Sequence, residues 1–188
     1  VRYQGNAYWQ YCVEINDRPL VTTVMPAVVE AGKKSTVELV GVNLSAGARG
    51  EIEVSADTKA GPQWLAPKFG KDTLNPAPVV VSRTPVTAES TAAKSSPEAA
   101  QDIAVPATVA GRIAAPGEAD RYAFAAKKGD MFTFEVCARR AQSNLDSILS
   151  IYNEKGARLV ESDDVQIHRW QTADSILEGW VAPADGKY

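Results

Sequence analysis

The 188-residue chain is 45% hydrophobic and 23% charged, so it can bury a core and lacks the composition of a disordered protein. Its net charge is −3, and its longest basic runs are the pairs 33–34, 127–128 and 139–140. Because nucleic-acid-binding surfaces carry basic patches, we expect no nucleic-acid partner. No apolar stretch approaches the roughly 18 residues that cross a bilayer, so we expect no membrane span.

Strand-like patterns dominate the chain. Polar and apolar residues alternate over residues 36–42, 51–55, 121–124 and 132–136. Such period-two runs between clusters of Gly, Pro, Asn and Asp are typical of half-buried antiparallel strands. Residues 153–156 carry Asn and Gly at positions that suit a hairpin turn. No amphipathic helix longer than about two turns is evident, so the predicted fold class is all-β.

Composition divides the chain into four segments. Residues 1–17 are rich in aromatics and too few to fold alone, so we expect them to close a preceding domain of a longer polypeptide. Residues 18–83 have the size of a small β-sandwich. Residues 84–103 are rich in Pro, Ala, Ser and Thr, with one valine and one isoleucine, which predicts a flexible linker. A second series of strands is predicted over residues 104–188.

Residue types argue against catalysis. The chain has a single histidine, His168, and no Gly-x-Ser-x-Gly nucleophile motif. Cys137 stands in an apolar strand-like run, which favours an inert thiol over a partner for His168. We interpret Cys12 and Cys137 as buried free thiols, with a disulfide between them as the alternative. One histidine without a cysteine cluster also excludes an ordinary zinc site, and we expect no enzyme activity.

The second half of the chain resembles a known family. VAGRI at residues 109–113, PGEADRYAF at 116–124 and KGD at 128–130 resemble the bacterial pre-peptidase C-terminal (PPC) domain. Further similarity follows in order at ARR, SNLDS, SDD, ADS and APADGKY, the last ending at Tyr188. This version is similar to that in large extracellular proteins of planctomycetes. The resemblance implies a jelly-roll-like β-sandwich, secretion and no catalysis.

The first half adds two further resemblances. Residues 24–44, with VMPA, AG, VEL and GVNL in order, resemble the start of TIG/IPT immunoglobulin-like domains. Residues 11–15 look like the final strand of another PPC copy. The implied layout is the end of a PPC-like domain at 1–17, an Ig-like β-sandwich at 18–83, the linker at 84–103, and a C-terminally truncated PPC-like domain at 104–188.

Calcium is the one cofactor that the resemblance implies. In calcium-binding relatives, ligands come from an acidic linker and from the turn before the D-x-Y-x-F motif. Here the turn offers Glu118 and Asp120, and the linker offers Glu98 and Asp102. Carboxylate oxygens are the ligands that Ca²⁺ prefers. The alternative is that Asp120 binds backbone donors of its own turn.

A second acidic pair is Asp163 and Asp164, which would bind metal together with Asp146 or Asp174 if their loops meet. The alternative is a solvated hairpin end, with Asp146 bound to backbone donors of its turn.

Two tryptophans, Trp64 and Trp170, lie in loop-like contexts and are candidates for ligand binding, whereas Trp180 is predicted to be in the core. Together these features predict a structural or adhesive module of a secreted bacterial surface or envelope protein. Its expected partners are other domains of the same polypeptide and an envelope polymer or protein. The alternative is a substrate- or cell-wall-binding accessory of a secreted hydrolase.

Overall fold

The computed structural model describes residue 8 and residues 10–90, 96–167 and 170–188. Short strands account for nearly all the regular structure in this part of the chain, and its helical segments are two 3₁₀ turns. The all-β prediction is therefore confirmed. Among the described residues, no helical segment has the length and hydropathy that crossing a bilayer requires.

The first unit, residues 20–82, contains eight strands in two sheets. The strands are β1 Leu20–Met25, β2 Val28–Glu30, β3 Lys34–Val42, β4 Arg49–Glu53, β5 Gly61–Leu65, β6 Lys68–Phe69, β7 Asp72–Thr73 and β8 Ala77–Ser82. One sheet has the order β1-β3-β4-β6-β7, with antiparallel pairing throughout. The other has the order β2-β8-β5, in which β2 and β8 run parallel.

Alternation of side chains builds the core of this unit. In β3, Val37 and Leu39 are buried while the residues between and beside them are half-buried or exposed. Fully buried valines from both sheets meet them, namely Val24, Val29, Val79 and Val81. Each such valine contributes about 1.5–3 kcal/mol relative to an exposed one, so this valine-rich layer holds the two sheets together.

The remaining strands follow Ser82. They are β9 Val86–Ala88, β10 Gln101–Asp102, β11 Thr108–Ala110, β12 Tyr122–Ala123, β13 Ala125–Ala126, β14 Met131–Glu135, β15 Leu149–Tyr152, β16 Arg158–Ser162, β17 Asp164–Ile167, β18 Trp170–Val181 and β19 Gly186–Lys187. The two 3₁₀ turns are η1 Pro97–Ala99 and η2 Arg139–Ala141. Strands β14, β18 and β17 form an antiparallel sheet, and β15 pairs with β16.

An aromatic cluster forms the core of the second unit, residues 101–188. Phe124 contacts Phe132, Phe134, Trp180 and Tyr188, with ring centroids 5.3–6.4 Å apart. All four pairs are tilted or edge-on, the arrangements that aromatic quadrupoles favour. Trp180, which was predicted to be in the core, is half-buried and packs against it.

Three further pairs of short strands belong to this part of the chain. Strand β9 runs parallel to β11, and β10 runs parallel to β12. Strand β19 pairs with β13, and the backbones of Phe124 and Tyr188 exchange two hydrogen bonds next to that pair. The segment 84–103 therefore contains the strands β9 and β10 and the turn η1 in its described part.

Residues 10–17 form neither helix nor strand, and their side chains are exposed. The strand that the sequence indicates at residues 11–15 is not formed, since no described strand pairs with it. The interpretation of Cys12 as a buried thiol is consequently wrong, because Cys12 is exposed. Cys137 is half-buried, and both cysteines are free, so the alternative of a disulfide between them is not realised.

Candidate functional site

Three carboxylates converge at the start of the second unit. Glu89 directly follows β9, Glu118 lies in the turn after β11, and Asp120 precedes β12. One carboxylate oxygen from each residue lies within 4.8 Å of the others. We call this set the Glu89 group. The sequence predicted that Glu118 and Asp120 share a site, and the structure brings them together.

Close backbone packing positions Glu89. Its N–H donates to the carbonyl of Ala110 at 2.8 Å, and its Oε2 accepts from the N–H of Arg112 at 2.6 Å. A Cβ built on Gly111 would lie 2.9 Å from that Oε2 and 3.1 Å from the Tyr122 hydroxyl oxygen. Glycine at 111 is what allows the carboxylate to approach the β11 strand so closely.

Glu118 is oriented by its own turn. Its Oε2 accepts from the N–H groups of Ala114 and Ala115 at 2.6 and 2.9 Å. Since Oε2 carries both of these bonds, Oε1 is the oxygen that keeps the larger capacity for a further partner. The Glu118 carboxylate therefore accepts hydrogen bonds from backbone donors of its turn and also belongs to the Glu89 group, whereas the sequence suggests such backbone bonds for Asp120.

The linker acids that the sequence offered lie elsewhere. Asp102 forms an ion pair with Lys187 at 2.5 Å. Glu98 is exposed, and hydrogen bonds from its own backbone N–H and the Ser96 hydroxyl lower its pKa. Neither belongs to the Glu89 group, so the expected contribution of Glu98 and Asp102 is corrected to one from Glu89.

Sequence reasoning missed Glu89 because its position depends on pairing. Its placement follows from the parallel ladder between β9 and β11, whose strands are three residues each. Strands this short leave little pattern to detect. The available signal was the β-branched pair Val86-Thr87 shortly before an acidic residue, inside a segment of otherwise linker-like composition.

A second acidic group consists of Asp146, Asp163 and Asp164, all exposed, with one oxygen of each within 4.8 Å of the others. Asp146 precedes β15, while the other two stand at the junction of β16 and β17. Of the two partners that the sequence left open for Asp163 and Asp164, Asp146 is therefore the one that the loops bring near.

Asp174, the other suggested partner, belongs to a buried network. Its side chain is fully buried. Its Oδ1 accepts from the backbone N–H groups of Ala138 and Arg139 at 2.8 and 2.7 Å. Its Oδ2 accepts from the N–H and Nε of Arg140 at 3.2 and 2.7 Å. Asp174 thus binds the start of η2 and does not face either acidic group.

Charge compensation keeps Asp174 ionised. Burial raises the pKa of this carboxyl, but the Arg140 guanidinium and three backbone N–H groups outweigh it, so the pKa lies below its ordinary value. Arg140 also donates to Glu135 and to the carbonyl of Val136, which completes the network. These contacts assign Asp174 a role in holding η2.

Burial raises the pKa of the Cys137 thiol to about 11, so this group stays protonated at neutral pH. A protonated, half-buried thiol is a poor nucleophile. Its suggested partner, His168, lies outside the described residues. The described geometry of Cys137 thus gives no support to thiol catalysis.

Trp64 lies on the edge strand β5 with 63% of its surface exposed. Trp170 begins β18, and its side chain lies outside the described part of the structure. The two candidates are therefore separated between the two units, and Trp64 is the one whose exposure is established.

No family model, no curated protein and no solved structure matches this chain. The resemblances to PPC and TIG/IPT domains therefore rest on the quoted sequence motifs. They remain predictions about the family of each unit.

Proposed function

We propose that this chain is a non-catalytic structural or adhesive module of a secreted, multidomain bacterial protein of the cell surface or envelope. The supporting observation is that the buried polar side chains of Asp174, Ser147 and Ser175 bind one another or the backbone. Asp174 binds the backbone of η2, and one hydrogen bond of 2.9 Å joins the buried hydroxyls of Ser147 and Ser175. Polar groups that bind one another or the backbone stabilise the short strands, and they are not available to react with a substrate.

The proposal also includes its place in a larger array. On this view the first unit is an Ig-like spacer, and the second is a PPC-like module, in line with the sequence motifs quoted above. Other domains of the same polypeptide are its immediate partners, and an envelope polymer or protein is what the array contacts.

Turnover assays test the non-catalytic part. The chain is incubated with casein, peptidoglycan and chitin, and soluble products are quantified. We expect product at the level of a buffer blank. Turnover that persists after repurification would overturn the proposal.

Calcium binding at the Glu89 group is the second part of the proposal. Three carboxylates from separate segments, one of them oriented by backbone N–H groups, supply the oxygen ligands that this ion prefers. Bound calcium would join the segment after β9 to the turn before β12. At a free concentration 100 times Kd, such binding stabilises the fold by about 2.7 kcal/mol.

Calorimetric titration and thermal melts test this site. We expect heat of binding and a higher melting temperature in calcium than in chelator. Asp120→Asn should abolish both effects. Asp163→Asn, in the other acidic group, and Glu154→Gln, in an exposed turn, should retain them. Superimposable melts of the unmodified chain would refute calcium binding and leave the structural proposal standing.

Exposure of Trp64 supports the alternative function, a binding accessory for cell-wall or other polymer. An exposed indole on an edge strand offers a flat apolar face against which a sugar ring can stack. Cosedimentation with insoluble envelope polymer tests it. We expect the unmodified chain to pellet under this alternative and Trp64→Ala to stay in solution, with Leu20→Ala as the exposed apolar control. Equal sedimentation of both variants would refute a role for Trp64.

A further inference from the structure

Three hydroxyl groups meet where the chain passes from the first unit to the second. Thr108 Oγ1 lies 2.7 Å from Ser82 Oγ and 2.7 Å from Thr84 Oγ1, and Ser82 Oγ lies 3.1 Å from Thr84 Oγ1. Ser82 ends β8 and is buried, whereas Thr108 begins β11. This hydroxyl cluster therefore connects the last strand of the first unit to a strand that follows residue 104.

Backbone pairing reinforces the same place. The N–H of Thr108 donates to the carbonyl of Pro85 at 2.9 Å, and β9 continues the contact as a parallel ladder with β11. The N–H of Val86 donates to Glu30 Oε2 at 3.4 Å, a side chain from β2. Strand β9 is thus held on both sides, by the first unit and by β11.

A third contact lies on the outer face of the β2-β8-β5 sheet. Along β8, Ala77 and Val79 point into the core of the first unit, so Pro78 between them points outward, yet Pro78 is also buried. The turn η2 lies close to both β8 and β5, and because the first core fills the inner face of this sheet, η2 lies on the outer face. Since Asp174 binds the backbone of η2, this network fixes the part of the second unit that touches the first.

We propose that residues 82–89, β11 and η2 together form a rigid joint, which holds the two units at one fixed relation in solution. A single tether permits rotation, and relative motion is the default for linked domains. Here three contacts join the two units through different strands: the hydroxyl cluster, the β9–β11 ladder and the η2 contact. If one unit rotated about any one of these contacts, another of them would break. The proposal goes beyond the function above, because it concerns how far the chain bends rather than what it binds.

Amide ¹⁵N relaxation of the complete chain tests the joint. We expect one rotational correlation time shared by both units, and order parameters of about 0.85 over residues 84–89, the value of rigid backbone. Two separate correlation times, or order parameters below about 0.6 in this segment, would overturn the proposal.

Matched variants test the role of the hydroxyl cluster. Thr108→Val keeps the shape of the side chain and removes the hydroxyl that both other members contact. We expect the order parameters of residues 84–89 to fall, while the β9–β11 ladder and the η2 contact keep one shared correlation time. Thr87→Val, an exposed position in β9, should leave both unchanged. Unchanged order parameters of residues 84–89 in Thr108→Val, or an equal fall in Thr87→Val, would contradict the assigned role of the cluster.

Discussion

Replacing Asp174 by alanine should destabilise the chain more than any change at an exposed acid. The substitution removes the acceptor of three backbone N–H groups and of the Arg140 Nε. Each buried donor left without a partner costs about 1–3 kcal/mol. Removing one member of a buried ion pair costs about 3–5 kcal/mol in total, because the remaining charge loses its compensation.

The structure places Asp174→Ala near the lower end of that range. The Arg140 side chain is 26% exposed and retains its contacts with Glu135 and the carbonyl of Val136, so water and these acceptors replace part of what is lost. We therefore expect a loss of about 3 kcal/mol, a large fraction of the 5–15 kcal/mol that stabilises a typical domain.

Urea unfolding monitored by tryptophan fluorescence measures this loss, since Trp180 packs against the core of the same unit. Asp163→Ala is the control, an exposed acid whose removal should change stability by less than about 0.5 kcal/mol. A difference below about 1 kcal/mol between the two variants would refute the account of Asp174 as the residue that holds η2.

Acid titration, a glycine substitution and a thiol reagent test three further features of the structure. Because the folded-state pKa of Asp174 is lowered, the stability that its ionised carboxylate contributes is fully present above the ordinary carboxyl pKa of 3.8 and is lost as pH falls through the folded pKa. Acid titration of the free energy of unfolding should show this loss, and Asp174→Asn should lack it. Gly41→Ala places a methyl group in steric overlap with the backbone carbonyl oxygen of Leu20, which cannot swing aside, and should cost at least about 1–3 kcal/mol in urea unfolding, whereas Gly186→Ala, with open space around it, should not. A thiol reagent near neutral pH should label exposed Cys12 rapidly and Cys137 slowly, and equal rates would contradict the burial and raised pKa of Cys137.

Period-two patterning predicted three of the antiparallel strands but not the longest, β18, and its run at residues 121–124 is only the two-residue β12, which pairs parallel with β10. The runs at residues 36–42, 51–55 and 132–136 correspond to β3, β4 and β14 with shifts of one or two residues at the ends. The turn predicted at residues 153–156 joins β15 to β16, with the N–H of Gly156 bonded to the carbonyl of Asn153. These strands and this turn depend on residues that are neighbours in the sequence, so the sequence alone is enough to predict them.

Period-two patterning could not predict the parallel strand pairings. Strands β2, β9 and β11 have three residues each, which is too short for a periodic signal, and β2 pairs with a strand about fifty residues away. Composition marked residues 84–103 as a linker, because the stabilising partners of β9 lie in β11 and at Glu30 rather than nearby in the chain. The position of Glu89 could not be predicted for the same reason.

The pairing of Tyr188 with Phe124 has a consequence for synthesis on the ribosome. The first core consists of residues between Val21 and Val81, so it can form once β8 has left the exit tunnel. The aromatic core of the second unit stays open until β18 and Tyr188 have emerged. At about 5–20 residues per second, the first unit is complete on the order of ten seconds earlier. The outward face of β8 is therefore already formed when the turn η2 reaches it.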